Sequence, residues 1–536
     1  MLISESALGK AEIKIQDSKI TDNRSRFLAA AYSGYESDIQ IKKTTVTGNQ
    51  VTSLFNSGAS NPEGSANSII DVTESSINEN IIESHGLVAT GNAGSINIDN
   101  TTLCRNSTGY DGDDHMSYHL IRTSNVNLNV TDATICDNQL SAIRAASDEA
   151  TSSVNISNSK ISNNNSTSVG AAISVSSAHK AIINLNINET TIDGNSSLYE
   201  GGGIDIGAYD HAEINLDIYN STLSNNGSST LDDSIGAIYG VTINNSSLNI
   251  DIAHSTITEN KSGTAGGGIN IPDPDSLITV NIENSIIANN TAAYGSDQDL
   301  NGEFNVTNSL IKDTSTQNGT TINDTTIDQI GDGEGQTPDT GNNILGQDPL
   351  LQDLALSGGT WVHQLSAGSP AIAAGDALTE NLPEYDQRGE GFARVRTTDS
   401  GSELDLGAVQ YFSNPVAVND ELSVSSNSEN NFIDVVANDA QNSDGLALDA
   451  GSITIMTHPE NGTAEAQQDG TISYTPNAGY AGEDSLIYML QDIAGNSSTE
   501  ATVTITVSEN SADSGGPLQL WILSLLAAFG LRRKFN

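Results

Sequence analysis

The chain has 536 residues, too many for one compact core, which indicates either two to four domains or a repeat architecture. Its 68 Asp and Glu outnumber 20 Lys and Arg, and the resulting net charge of −48 argues against nucleic acid as a partner because phosphates are repelled. With only two cysteines, the composition excludes a disulfide-dense scaffold and multi-cysteine zinc sites.

The first three hundred residues carry a repeated pattern. Each copy has alternating apolar residues, a Ser or Thr, an apolar residue and then an Asn three positions later, as in IKIQDSKITDN and VNISNSKISNN. Successive copies start 26–34 residues apart, the size of one solenoid turn with two or three short strands. We therefore predict an all-β fold whose residues 1–314 form a right-handed parallel β-helix of about ten to eleven coils.

An asparagine closes every one of ten copies. We expect these residues to stack as a structural amide ladder at one corner, since Asn tolerates left-handed backbone and hydrogen-bonds within its own turn. The column comprises Asn23, Asn49, Asn80, Asn106, Asn138, Asn164, Asn195, Asn226, Asn260 and Asn290. An eleventh copy has Thr314 at this position, so we expect the array to fray there.

The two cysteines occupy equivalent positions in adjacent copies. Cys104 follows the anchoring Leu103, and Cys136 follows the anchoring Ile135. Stacked coils lie ~4.8 Å apart, within the Cα separation that a disulfide tolerates. Two interpretations stay open at this stage: a disulfide formed in an oxidising compartment, or two aligned free thiols.

Glycine runs occur after the asparagine in several copies, for example Gly201-Gly202-Gly203-Ile204 and Gly266-Gly267-Gly268-Ile269. Together with the Asn pattern, they resemble the GGxI and φxxN signatures of polymorphic-outer-membrane-protein-type repeats over roughly residues 11–314, although Ile usually replaces Phe before the xxN. The resemblance implies a bacterial surface protein.

Residues 315–412 are predicted to contain the last coil and a cap. The segments QDPLLQDLALSGGTWVHQLSAGSPAIAAGD, YDQRGEGFARV and LDLGAVQYF resemble the choice-of-anchor Q module that ends many bacterial β-helix proteins. A solenoid needs a cap because its last coil exposes apolar surface and strand edges. His363, Asp386 and Arg388 have an enzymatic interpretation, but we favour a structural ion pair and a hydrogen-bonded histidine.

Residues 413–508 contain short alternating strands at regular spacing, which predict a β-sandwich. Segments such as Ser473-Tyr474-Thr475-Pro476 resemble bacterial cadherin-like or Ig-like domains. The resemblance implies a possible Ca²⁺ site, with Asp420, Asn438, Asp439 and Asp492 as candidate oxygen ligands. The diluted acidic character of residues 440–444 departs from the pattern of the family.

Residues 509–536 are predicted to be a linker and a short hydrophobic helix. Gly515-Gly516, an apolar run and Arg532-Arg533 resemble the GlyGly-CTERM sorting tail of Gram-negative bacteria. That resemblance implies transient membrane insertion, cleavage by a rhomboid-type protease (rhombosortase), and a body that stays at the outer membrane or is secreted. Because export needs a signal peptide and none follows Met1, we expect the natural precursor to be longer.

Catalytic motifs are weak in this sequence. The dense cluster Asp111-Gly112-Asp113-Asp114-His115 falls within one loop, where a solvated acidic loop is favoured over a cation site. No P-loop, GxSxG, HExxH or GxGxxG context is present. We therefore expect a non-enzymatic, adhesin-like protein or interaction scaffold with an unknown surface or glycan ligand. The alternative is a polysaccharide lyase or glycoside hydrolase.

Overall fold

The structure is a computed structural model of the whole chain, and it separates into two units, residues 1–411 and 412–536. The residues it describes are 2–6, 10–33, 35–59, 67–91, 93–108, 118–166, 170–197, 201–228, 236–272, 277–293, 298–313, 321–324, 342–379, 382–398, 401–439 and 446–509.

The first unit is a parallel β-helix built from three parallel sheets of twelve strands each, which confirms the predicted fold class. Each coil passes through sheet B, sheet C and sheet A in that order. Sheet A contains β1 (Leu2–Ser6), β4 (Arg24–Ser33), β7 (Gln50–Ala59), β10 (Ile81–Thr90), β13 (Ser107–Thr108), β14 (His119–Ser124), β17 (Ser141–Asp148), β21 (Ile173–Ala178), β25 (Ile204–Tyr209), β28 (Ile238–Ile243), β32 (Ile269–Asn270) and β36 (Leu300–Asn301).

Sheets B and C complete the coils. Sheet B contains β2 (Lys10–Gln16), β5 (Glu36–Lys42), β8 (Asn67–Thr73), β11 (Ala93–Asp99), β15 (Asn127–Thr131), β18 (Thr151–Ser157), β22 (Ile182–Asn188), β26 (Glu213–Tyr219), β29 (Ser247–Ala253), β33 (Ile278–Glu283), β37 (Glu303–Thr307) and β39 (Thr321–Asp324). Sheet C contains β3 (Lys19–Thr21), β6 (Thr45–Thr47), β9 (Ser76–Asn78), β12 (Thr102–Cys104), β16 (Thr134–Cys136), β19 (Lys160–Ser162), β23 (Thr191–Asp193), β27 (Thr222–Ser224), β30 (Thr256–Thr258), β34 (Ile286–Ala288), β38 (Leu310–Ile311) and β40 (Ile344–Leu345).

Two short parallel pairs lie outside these sheets. They are β20 (Asn165–Ser166) with β24 (Ser196–Ser197), and β31 (Lys261–Ser262) with β35 (Thr291–Ala292). Strands β39 and β40 add a twelfth coil beyond the eleven sequence copies, because a degenerate segment still pairs with the coil before it.

The interior is filled by stacked aliphatic columns. In sheet C, for example, Ile135 pairs with Ile161, and Ile161 pairs with Ile192, all fully buried. Burying such side chains stabilises each coil by roughly 1.5–3 kcal/mol per residue, which favours stacking over isolated coils. The core therefore runs along the whole rod as one continuous cluster.

The corner turns differ in one respect from the sequence-based expectation. We expected the ladder asparagines to tolerate left-handed backbone, but the residue before each of them adopts that conformation, as in Asp137 (φ 54°) and Asn163 (φ 54°). None of the ten ladder asparagines has a positive φ. The expectation was wrong because each ladder side chain points into the corner, so the reversal of the chain falls one residue earlier.

The glycine runs are explained by close backbone contacts between coils. A Cβ atom at Gly236 would lie 1.7 Å from the carbonyl oxygen of Gly267 on the next coil, and one at Gly203 would lie 2.3 Å from that of Ala237. Only glycine permits this approach. The Ile that follows each run enters the buried column of sheet A, where Ile204 pairs with Ile238.

Residues 346–411, here called the lateral segment, follow the last coil. Instead of covering only the end of the rod, this segment runs back along the outer side of sheet C. Thr191 donates to the carbonyl oxygen of Trp361 (2.7 Å), and the Ala408 amide donates to Thr256 (3.0 Å). Its strands form two antiparallel hairpins, β41 (Ala355–Ser357) with β42 (Thr360–Val362) and β43 (Arg396–Thr398) with β44 (Gly401–Glu403).

The second unit is a β-sandwich of a four-stranded and a three-stranded sheet. The first contains β45 (Asp420–Ser425), β51 (Ala501–Ser508), β50 (Gly482–Asp492) and β47 (Leu448–Thr457), and the second contains β46 (Asn431–Asp434), β49 (Thr471–Pro476) and β48 (Gly462–Ala466). Alternate residues such as Val503 and Ile505 fill the core between the sheets.

The predicted C-terminal helix and the sorting residues Gly515, Gly516, Arg532 and Arg533 lie outside the described residues, as does the Asp111–His115 cluster. In the part of the chain that the structure describes, no helix has the length and apolar character needed to cross a bilayer.

Candidate functional site

The ten asparagines form a continuous hydrogen-bonded corner ladder. Each side-chain amide donates to the carbonyl oxygen of the next asparagine, with nine links of 2.7–3.0 Å. The same amide also reaches backbone, as in Asn164 to the Ile135 carbonyl oxygen (3.1 Å). Because nine of these residues are buried and their side-chain amides are fully engaged, the corner ladder is a structural element.

An aspartate continues the corner ladder at its C-terminal end. Asn290 donates its side-chain amide to Asp299 Oδ1 (2.8 Å), and the Asp313 amide donates to Asp299 Oδ2 (2.6 Å). Burial raises the pKa of Asp299 to about 7. The repeated asparagine of the sequence therefore ends before Thr314. The corner ladder nevertheless gains one further acceptor, because Asp299, which lies earlier in the chain than Thr314, takes the place of an eleventh asparagine.

Cys104 and Cys136 form a disulfide between adjacent coils. Their strands β12 and β16 pair in register, and their Cα atoms are 4.5 Å apart. Of the two interpretations that the sequence left open, the structure contains the bonded one.

The outer face of sheet A carries a row of charged and polar side chains, here called the sheet A row: His85, His119, Arg122, Arg144, Ser174 and Asp205. Arg122 pairs with Arg144 on the next coil, and that column continues through Ser174 to Asp205. Arg122 is exposed, whereas Ser174 and Asp205 are buried. Elsewhere on the rod the outward positions are regularly occupied by small polar residues, and the histidines, arginines and aspartate of the sheet A row depart from that pattern.

Two histidines flank Arg122. The rings of His85 and His119 stack with centroids 5.4 Å apart, and Arg122 Nη1 lies 2.6 Å from His85 Nε2. Burial and the nearby arginine lower the pKa of His85 to about 4. Burial first, and then His85 and the two arginines, hold the pKa of His119 well below its usual range. Both imidazoles are therefore neutral at pH 7.

Arg144 is held in place by the hydroxyl groups of two serines on the next coil. Its two terminal nitrogens donate to Ser174 and to Ser176 (2.9 Å), and Ser174 donates to Asp205 Oδ2 (3.0 Å). Burial lowers the pKa of Arg144, and Asp205 opposes that effect. The guanidinium stays charged because its ordinary pKa is far above 7. The result is a positioned cation beside the exposed Arg122.

The outer face of sheet B carries a second, outer amide ladder. The amides of Asn129, Asn155 and Asn186 each donate to the side-chain oxygen of the preceding coil's Asn at 2.7–2.8 Å. Further along this column, the exposed Asp217 and Asp251 are partners on adjacent coils. Partial burial, and secondarily Asp251, raises the pKa of Asp217.

Of the four candidate Ca²⁺ ligands in the sandwich, the structure brings Asp420 and Asp439 together. The Tyr488 hydroxyl lies 3.0 Å from Asp420 Oδ2 and 3.2 Å from both carboxylate oxygens of Asp439. The carbonyl oxygens of Val418 (3.2 Å) and Val435 (3.1 Å) approach the same hydroxyl. These hard oxygens are of the kind that Ca²⁺ prefers, and burial raises the pKa of Asp420 to about 6.

Asn438 also hydrogen-bonds Asp420 through its side chain, whereas Asp492 does not join this group. Asp492 accepts from the backbone of Ala494 and Asn496 in its own turn, and Asn438 donates to the Asn419 carbonyl oxygen (3.2 Å). Within the described ranges, no group of three or more His, Cys, Asp or Glu is placed to hold a metal ion.

The residues of the lateral segment that had an enzymatic interpretation are buried. Asp386 and Arg388 form an ion pair with both side chains fully buried, and His363 Nδ1 lies 2.8 Å from the Gln352 carbonyl oxygen. These contacts hold the fold of the segment together and leave no access for a substrate at Asp386 or Arg388.

Sequence reasoning missed the sheet A row. The Asn-containing repeat pattern covers the strands of sheets B and C, while the glycine runs mark only the start of the third strand and fix none of its outward positions, so a departure there could not be read from the sequence. The signal was present nonetheless: Ile121-Arg122 and Ile143-Arg144 place arginine at the same strand position in consecutive coils of an acidic protein.

Residues 413–506 match the family model of the bacterial Ig domain, in agreement with the sandwich of the second unit. A comparison with curated proteins finds no match to the chain. The bacterial Ig domain indicates a surface-associated protein, so the chain combines a parallel β-helix with a module typical of the bacterial exterior.

Proposed function

We propose that this chain is an exported, non-enzymatic protein of the bacterial surface or of the secreted fraction, which acts as an adhesin-like binder or interaction scaffold. The observation that carries the proposal is the sheet A row, a charged patch with fixed geometry on an otherwise repetitive rod. A rigid solenoid suits binding because its side chains are positioned before the ligand arrives.

The proposal is tested by locating the protein and by measuring binding. Cell fractionation of a Gram-negative host producing the natural precursor should place the chain in the outer membrane or the medium. Purified chain should then bind intact cells or an extracellular matrix polymer. A cytoplasmic location of the precursor would contradict the proposal.

The tail supports a route to the surface. We propose that Gly515 and Gly516 mark the cleavage site of a rhombosortase-type protease, and that Arg532 and Arg533 hold the tail on the cytoplasmic side during transient insertion. A Gly515→Asp/Gly516→Asp variant should accumulate in the inner membrane with its tail attached. Normal release of that variant would exclude this processing route.

A polysaccharide-active enzyme is the second candidate function, favoured by one observation. Asp217 and Asp251 are exposed on adjacent coils, and stacked coils lie ~4.8 Å apart, close to the ~5–5.5 Å that separates the carboxyls of retaining glycosidases. Release of reducing sugars from a polysaccharide panel, lost in Asp217→Asn, would establish this second function. We expect no release.

A further inference from the structure

We propose that the sheet A row binds an anionic polysaccharide, with Arg122 contacting an acidic group of the polymer; this rests on the proposed binding function and names its ligand. The charge distribution of the rod supports it. The strands of sheet A contain four arginines and four carboxylates, whereas those of sheet B contain three lysines and eleven carboxylates. Of these two sheets, sheet A is therefore the face where an anion meets less repulsion.

The pairing of Arg122 with Arg144 points to a ligand. Like charges directly opposite each other on neighbouring strands destabilise a sheet, and these two arginines are Cα partners. Arg122 contacts the neutral His85, and within the described ranges no ion pair joins it to a carboxylate. An anion placed between the guanidiniums would remove the repulsion and accept their donors in the bidentate geometry that arginine favours.

His119 supplies the second, independent observation. Its side chain is buried, and its Nδ1 has no hydrogen-bond partner among the residues that the structure describes. A buried polar atom without a partner is costly, so a group that pairs with it on binding is favoured. A sugar hydroxyl of the ligand is such a group, since neutral imidazole accepts as readily as it donates.

The surroundings of the arginines favour a sugar polymer over other anions. Two residues further along the strands, the accessible outward column contains Thr90, Ser124 and Ser176, which offer hydroxyls to a hydroxyl-rich ligand. Among the described residues of this patch, the cations are Arg122 and Arg144, and the chain has a net charge of −48, whereas nucleic-acid binding requires many contacts to phosphates. A carboxylated glycan, with at most one charge per sugar and therefore a lower charge density than duplex nucleic acid, matches this composition.

The test uses the full chain and polygalacturonate, a carboxylated polymer, with its fully methyl-esterified form as the uncharged counterpart. Calorimetric titration should detect binding of the first and at least tenfold weaker binding of the second. Arg122→Gln should weaken binding of polygalacturonate at least tenfold. Arg105→Gln is the matched control because it removes one exposed arginine of the rod that pairs with Glu79 instead, and it should change Kd less than twofold.

A sulfated polymer forms the second arm, since carboxylate and sulfate share the chemistry that Arg122 recognises. Preference for either polymer, lost in Arg122→Gln, supports the proposal and identifies the acidic group. Equal losses in Arg122→Gln and Arg105→Gln, or equal binding of the esterified polymer, overturn it. Surface location with binding of a neutral polymer would overturn this inference and leave the proposed function standing, whereas a cytoplasmic precursor would overturn the proposed function itself.

Discussion

The corner ladder and the sheet A row are built from the same coils but follow opposite rules. In the corner ladder one residue type recurs in ten copies, and every side chain between the two ends bonds its equivalents on both neighbouring coils. In the sheet A row the residue type varies from coil to coil, with Arg122 and Arg144 on two adjacent coils followed by Ser174 and then Asp205. The comparison indicates that the repeated positions of this solenoid provide its stability, and under the proposed function the departures from the repeat provide its binding contacts.

The largest expected effect comes from interrupting the corner ladder. Asn164→Ala removes three side-chain hydrogen bonds from a buried corner: those that Asn164 donates to the Ile135 carbonyl oxygen and to Asn195 Oδ1, and the one that it accepts from the Asn138 side-chain amide. We expect a loss of about 3–5 kcal/mol in the free energy of unfolding, measured by denaturant melts. Asn155→Ala in the outer amide ladder is the matched control, with a loss of roughly 0.5 kcal/mol because water can replace its bonds. Equal losses would abolish the distinction between the two ladders.

Removing the disulfide should have the next largest effect. Cys104→Ser/Cys136→Ser opens a loop with a sequence separation of 32 residues, and we expect it to lower the free energy of unfolding by about 3 kcal/mol. Reductant should lower the melting temperature of the wild-type protein and leave that of the variant unchanged. Two free thiols in the unreduced, unfolded wild-type protein would contradict the bond.

The end of the corner ladder should make stability depend on pH. Asp299 has a pKa raised to about 7, so between pH 4 and 7 the native state holds a proton that the unfolded state releases. Stability should therefore fall as pH rises through this range, by on the order of 2 kcal/mol. The difference between melts at pH 5 and pH 7.5 should shrink in Asp299→Asn, and an unchanged difference would exclude Asp299 as its source.

The smallest expected effect concerns the sandwich. If Asp420 and Asp439 hold Ca²⁺, millimolar Ca²⁺ should stabilise the second unit by about 1–2 kcal/mol, seen as a shift of its transition in calorimetry of the full chain. Asp439→Asn should abolish the shift, while Asp492→Asn should retain it because Asp492 lies in a separate turn. No shift in the wild-type protein would exclude the site.

The fold could be predicted from the sequence because the inward Ile, Leu and Val and the corner Asn recur at a regular spacing, and such a repeat is visible in a single sequence. It did not reach the course of the lateral segment, where Gln387 contacts Thr191 across 196 residues through pairings that no local pattern encodes. It also missed Asp299 and the sheet A row, since both are departures that only the register of the coils brings together.

The central claim is that repeated positions provide stability and departures provide binding, and one paired measurement tests it most directly. Melting temperature and affinity for polygalacturonate are measured for the wild-type protein, Asn164→Ala and Arg122→Gln. The claim predicts that Asn164→Ala lowers the melting temperature and, while folded, retains the affinity, whereas Arg122→Gln retains or raises the melting temperature and loses at least tenfold in affinity. An Arg122→Gln protein that melts lower and binds as the wild type does would contradict it.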